Sequence, residues 1–131
     1  MFLDASAAIA ILAGEAEGPA LAQHLDEAKH VYASPLMIYE SVMGLARIFD
    51  ISTADAAFAL DQLLRDIGAE IVPINAEIGF EAIRAFARFG RGRHSARLNM
   101  GDCFAYACAK SLNVPLLYKG DDFAQTDIAS P

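Results

Sequence analysis

Four carboxylates far apart in the chain, Asp4, Glu40, Asp102 and Asp121, occupy positions where acids do chemistry. Asp4 and Asp121 each follow a short apolar run, Phe2-Leu3 and Pro115-Leu116-Leu117-Tyr118. Glu40 shares a mostly apolar helical stripe with Leu36 and Met43, where a carboxylate is costly unless something compensates it. Asp102 opens a segment of small residues, on the face that carries Ala105 and Ala109. Two carboxylates about 5 Å apart repel by about 3 kcal/mol at an effective dielectric near 20, so their convergence does not serve stability. A divalent cation reverses the sign of that interaction. Mg²⁺ and Mn²⁺ prefer carboxylate and water oxygens. Such an ion acidifies a coordinated water and neutralises phosphoryl charge, which is the chemistry of phosphodiester hydrolysis. Singly, each acid also has a bland use. Asp4, Asp121 and Asp122 suit turns, Asp102 suits the first turn of a helix, and Glu40 suits a helix surface. Only the four together point to a site.

The elements around these acids follow from pattern. Phe2-Leu3 reads as a buried strand ending at Asp4, with Ser6 as N-cap of a helix from Ala7 to Ala13 and Gly14 as its stop. A helix from about Pro19 to Ala28, a strand at Val31–Ala33 and a helix opened by Ser34-Pro35 and running to about Phe49 come next. Ser52 and Asp55 have capping-box spacing before Ala56, Leu60, Leu63, Leu64 and Ile67 at helical intervals. Ile71 to Ile74 reads as a third strand. Asn75 caps a helix with Ile78, Ala82, Ala85, Phe86 and Phe89 on one face, so both phenylalanines read as core. Gly90 to Asn99 reads as a loop, Gly101 to Leu112 as a helix and Pro115–Tyr118 as the last strand. Short strands alternating with helices predict an α/β fold, a three-layer α/β/α domain over residues 1–131 with a central parallel sheet of about four to five strands. In such sheets ligands sit beyond the carboxyl ends of the strands, where Asp4 and Asp121 project.

Composition narrows the class. The chain has 131 residues, 55% of them hydrophobic, enough for one domain with its own core and against disorder. No apolar run reaches the roughly 20 residues of a membrane span, and Asp4 interrupts any signal core, so a cytoplasmic protein is expected. Cys103 and Cys108 lie about 140° apart around a helix and read as two small buried thiols. The net charge of −7 disfavours nucleic acid, yet Arg84, Arg88, Arg91, Arg93 and Arg97 supply half of the 10 Lys and Arg residues within one short segment. No P-loop, dinucleotide-binding glycine motif or zinc spacing is present. Two other classes compete. A phosphotransfer protein also uses strand-end aspartates, Mg²⁺ and a lysine such as Lys119, but Ser6 stands where a phosphohydrolase needs a second Asp. A non-catalytic RNA- or protein-binding module would use the arginine loop alone.

Met1-Phe2-Leu3-Asp4-Ala5-Ser6, Glu40 in the context Ser34-Pro35…Tyr39-Glu40, Arg97-Leu98-Asn99-Met100-Gly101-Asp102-Cys103-Phe104, and Leu116-Leu117-Tyr118-Lys119-Gly120-Asp121-Asp122-Phe123 together resemble the PIN-domain family. The resemblance is closest to its VapC toxin branch and spans essentially the whole chain. It implies an Mg²⁺- or Mn²⁺-dependent endoribonuclease, the toxin of a toxin–antitoxin pair. It also implies a homodimer inhibited by a VapB-like antitoxin, assembled as a heterotetramer or larger complex. Asp4, Glu40, Asp102 and Asp121 correspond to the family's four acids, with Asp122 the alternative for the fourth. On this reading Ser6 hydrogen-bonds an acid or its water, and Asn99 orients Asp102 or contacts substrate. Arg91, Arg93, His94 and Arg97 contact RNA phosphates. The apolar residues Ile9, Ile11 and Leu12 are expected to contribute a dimer or antitoxin interface.

Overall fold

Side-chain alternation along strands of two residues is enough to divide the core in two. The computed structural model describes residues 1–131. Strands β1 (Phe2–Leu3), β2 (Tyr32–Ala33), β3 (Glu70–Ile71) and β4 (Leu116–Leu117) form a parallel sheet in the order β3-β2-β1-β4. Helices α1 (Ala5–Leu12), α2 (Gly18–Glu27), α3 (Pro35–Phe49) and α4 (Thr53–Asp66) precede β3 in the chain. Helices α5 (Ala76–Phe89) and α6 (Met100–Leu112) follow it, and a 3-10 turn at Phe123–Gln125 comes after β4. Phe2 and Leu116 pack with Ile78, Ala82, Phe89, Tyr106 and Cys108 on the α5–α6 side. Leu3, Ala33 and Leu117 pack with Ala7, Leu21, Leu45 and Leu60 on the α1–α4 side. The result is the three-layer α/β/α fold, with β1 central and buried on both faces, as parallel strands require.

The sequence reading and the structure part in several places. The third strand lies at Glu70–Ile71, one residue earlier than expected and much shorter. Val72 still donates to Ala33 O at 2.9 Å, but Pro73 has no N–H to continue the ladder. Helix α1 begins at Ala5, and its N-cap is Asp4 rather than Ser6. Asp4 has the extended backbone a cap needs and accepts from Ser6 N–H. At the start of α4 Ser52 caps as expected, but Asp55 returns its carboxylate to the Ser52 hydroxyl and not to the backbone. Ile9, Ile11 and Leu12 are half-buried against the second core cluster and keep part of their surface exposed. Gly14, at φ +65°, ends α1 as expected. Both cysteines are free and buried. No helix is long and apolar enough to cross a membrane.

Leu60 is 1% exposed and sits where α4 closes the second cluster. Leu60→Ala should therefore cost about 2–5 kcal/mol in urea unfolding. A loss below about 1 kcal/mol would mean that this layer is loosely packed.

Candidate active site

Sheet order places the carboxyl end of β1 at the point where the connections change direction, between β1 and β4. Asp4 stands there. Its N–H donates to Leu117 O at 2.9 Å, continuing the ladder, and its carboxylate caps α1 by accepting from Ser6 N–H at 2.9 Å. The Ser6 hydroxyl also donates to Asp4 Oδ2 while accepting from Lys119 N–H at 3.0 Å. One hydroxyl thus ties the exit of β4 to the acid at the exit of β1. Asp4 is only 5% exposed. The Lys119 ammonium pairs with Glu15 and, at 3.9 Å, Glu17.

Glu40 reaches this edge from α3, whose start is fixed by the buried Ser34 accepting from Met37 N–H at 3.2 Å and by Pro35 in the first turn. Asp102 reaches it from α6. Asn99 Oδ1 accepts from Asp102 N–H at 3.0 Å, and Asp102 Oδ2 accepts from Asn99 N–H at 2.8 Å. That reciprocal capping box holds both the helix and the carboxylate in place. Asp4, Glu40 and Gly101, with Ser34, Met37, Phe104 and Ala105, line one narrow cleft between α3 and α6. Gly101 and Phe104 belong to the cleft although sequence reasoning did not single them out. A glycine in the first turn of a helix, where it is unfavourable, was the available signal for Gly101.

Electrostatics couple the three acids. Burial pushes Glu40 up to about 7, with the charges of Asp4 and Asp102 adding to it. Burial likewise pushes Asp102 up to about 6. The Asn99 N–H opposes that rise, Asp4 and Asp122 add to it, and Arg91 lowers it. Burial raises Asp4 as well, against the hydrogen bonds from Ser6. The two candidates for the fourth position, Asp121 and Asp122, have different surroundings. The neighbour whose charge reaches Asp102 is Asp122, whereas Asp121 acts on Tyr118.

The arginine loop is shaped by its own contacts. Arg91 N–H donates to Leu98 O and Leu98 N–H to Phe89 O, both at 3.0 Å, so the loop closes on itself. The Arg93 guanidinium lies 5.5 Å from the centroid of Phe86. His94 Nδ1 accepts from Ala96 N–H at 3.1 Å, and its ring meets Phe89 edge-on at 5.3 Å. Arg97 is exposed in the left-handed region at φ +53°. Of the four loop residues, Arg91 is the one whose charge acts on the acids. Phe86 is 40% exposed and not core, because Ile78, Ala82, Ala85 and Phe89 fill the buried stripe of α5.

No three His, Cys, Asp or Glu side chains close into a ready-made cation cage. The donor chemistry nevertheless suits a hard cation. Mg²⁺ needs only one or two carboxylates and keeps several waters. Here the charge of Asp4 raises both Glu40 and Asp102, that of Asp102 raises Glu40 further, and Glu40 has no hydrogen bond or cation to relieve it.

A PIN domain family model matches residues 1–129. A VapC ribonuclease of Rhizobium meliloti (strain 1021) is 37% identical over 139 residues, covering 97% of this chain and 98% of its own. Ribonuclease VapC30 of Mycobacterium tuberculosis (strain ATCC 25618 / H37Rv) is 35% identical over 131 residues, covering 99% of this chain and 97% of its own. The crystal structure of Mycobacterium tuberculosis VapC20, described as a sarcin–ricin loop cleaving toxin, is similar in fold. Its TM-score is 0.76 at 18% identity, covering 99% of this chain and 97% of that one.

The raised carboxyls predict a pH signature. Folded Glu40 and Asp102 keep protons to about 7 and about 6, whereas unfolded carboxyls release theirs near about 4. Between those limits the folded state binds more protons, so stability falls as pH rises through the folded values. In EDTA, these groups should lower the melting temperature between about pH 5 and pH 7.5, and Glu40→Gln or Asp102→Asn should flatten that slope. Superimposable slopes in parent and variants would contradict the coupling.

Proposed function

The chain belongs to the PIN-domain family, in its VapC ribonuclease branch, and on that footing we propose that Asp4, Glu40, Asp102 and Asp122 form an Mg²⁺- or Mn²⁺-dependent centre that cuts RNA. The protein is an endoribonuclease of the VapC type, the toxin of a toxin–antitoxin module. The observation that carries the assignment of the centre is the buried Asp4 carboxylate, held at the carboxyl edge of the sheet within the fields of Glu40 and Asp102. Bound there, a divalent ion supplies charge against the phosphoryl oxygens and acidifies the attacking water. Asp4, Glu40 and Asp102 hold it, directly or through waters. Ser6 keeps Asp4 oriented, and Asn99 does the same for Asp102. Asp122, with Asp121 beside it, adds negative charge at the outer side of the site.

Arg91, Arg93, His94 and Arg97 contact RNA phosphates in this reading, with Arg91 nearest the reacting group. His94 contributes through Nε2, since Nδ1 is engaged with Ala96. A phosphotransfer mechanism is disfavoured because Lys119, its required cation, is paired with Glu15.

The partners are RNA, a VapB-like antitoxin and a second copy of the chain. Phe80, Ile83 and Met100, each about two-thirds exposed at 64%, 65% and 64%, form with Phe86 and Phe104 an apolar groove of about 550 Å³ between α5 and α6. Patches of this kind mark interaction surfaces on soluble domains. This groove supports homodimerisation better than the Ile9, Ile11 and Leu12 surface, which is half-buried against the second core cluster.

Two measurements check these readings. Total RNA incubated with the protein should be cut with Mg²⁺ or Mn²⁺ and not with EDTA. Asp102→Asn should lower the rate about 10²-fold or more, the scale of one lost preorganised electrostatic contact. Cleavage undiminished in EDTA would refute the metal requirement. In light scattering at micromolar concentration the parent should have twice the chain mass and Ile83→Asp the single mass. A monomeric parent would remove the dimer.

A further inference from the structure

We propose that Gly101 is a positioning residue: by lacking a side chain it leaves the space in which the Glu40 carboxylate lies against the first turn of α6. A Cβ built on Gly101 would overlap Oε1, Cδ and Oε2 of Glu40. No other glycine of the chain stands in this relation to an acid. Gly14, Gly68, Gly92 and Gly120 have positive φ and no neighbour within 4 Å of an added Cβ, Gly44 meets Ile9, and Gly90 meets Phe86. The φ of Gly101 is not positive, so its backbone conformation does not require glycine. Within a helix, glycine is less favourable than alanine. The position thus gives up helix stability and gains room for one carboxylate.

Two further features locate the effect of a substitution. The Asn99–Asp102 capping box anchors the first turn of α6, so the backbone at Gly101 is held on both sides. The obstructing atoms belong to the far end of a flexible side chain. A methyl group at Gly101 is therefore relieved by rotation of Glu40 away from Asp4 and Asp102, and the fold is spared. This role rests on the reading of Asp4, Glu40 and Asp102 as the ribonuclease centre.

The test uses Gly101→Ala, Glu40→Asp and the double variant, with Asp102→Asn as reference. Gly101→Ala in EDTA should melt at or above the parent temperature, because alanine is the better helix former. Its kcat on RNA should fall at least tenfold with KM little changed, and the melting-temperature gain on adding Mg²⁺ should shrink. The shorter acid leaves clearance for the added methyl, so Gly101→Ala should cost much less activity in the Glu40→Asp background than in the parent. Parent-like kcat in Gly101→Ala, a lowered melting temperature in EDTA, or an equal loss from Gly101→Ala in both backgrounds would each overturn the role. If Asp102→Asn also cleaves like the parent, the assignment of the centre fails. If Asp102→Asn is inactive while Gly101→Ala is not, only the role of Gly101 fails.

Discussion

Keeping a carboxylate out of water beside two others is the constraint to which the rest of this molecule answers. Asp4 is buried where the central strand ends, and burial alone drives it toward the neutral form. The protein opposes that tendency with fixed donors. Asp4 accepts from the backbone and hydroxyl of Ser6 at the N-terminus of α1, and Asp102 accepts from the Asn99 N–H at the N-terminus of α6. Helix N-termini favour negative charge, so two of the three acids sit where the backbone partly compensates them. Glu40 projects from within α3 and has no such support. Burial and the charges of Asp4 and Asp102 raise its carboxyl to about 7, unopposed, against about 6 for Asp102, where the Asn99 N–H opposes the rise. The three acids differ in what they receive: Asp4 takes the donors of Ser6, Asp102 that of Asn99, and Glu40 none.

That strain is tolerated because it lies at one rim of a well-packed fold. The α6 helix carries Cys103, Ala105, Ala107, Cys108 and Ala109 as buried small residues, which bring it close to the sheet and to α3. Its single large buried residue, Tyr106, donates its hydroxyl to Asp127 at 2.6 Å and so ties the terminal segment back to the core. Asp127 in turn pairs with Arg88 and Lys110. Packing on both faces of β1 supplies the stability that the acidic rim withdraws, and destabilised functional rims on overdetermined scaffolds are general.

Local patterns in the sequence carried much of this arrangement. Strand β1 with its terminal acid, the Ser34-Pro35 start of α3 and the Asn99-to-Asp102 spacing are short-range signals, and the structure places elements at all three. What stayed hidden joins residues distant in sequence. The Ser6 hydroxyl bonds the Lys119 N–H across 113 positions, and Gly101 gives room to an acid on another helix. Neither contact leaves a periodicity. Phe86 was misplaced because it flanks the apolar stripe of α5 closely enough to look part of it, and only the fit of α5 against α6 decides which side it faces. Asp121 and Asp122 are adjacent, so only the course of the turn through Gly120, at φ +98°, separates their surroundings.

The pairing of β1 with β4 has a consequence for the order in which the molecule comes into being. Phe2 pairs with Leu116 and Leu3 with Leu117, so β1 waits for β4, with β2, β3 and the helices α1 to α6 between them in the chain. Contacts of such long separation form slowly, after shorter loops have closed. A chain still emerging from the ribosome has Asp4 and Glu40 but lacks the strand that seats Asp4 and the helix that brings Asp102. The rim that gathers Asp4, Glu40 and Asp102 is therefore complete only once α6 and β4 have joined the elements before them.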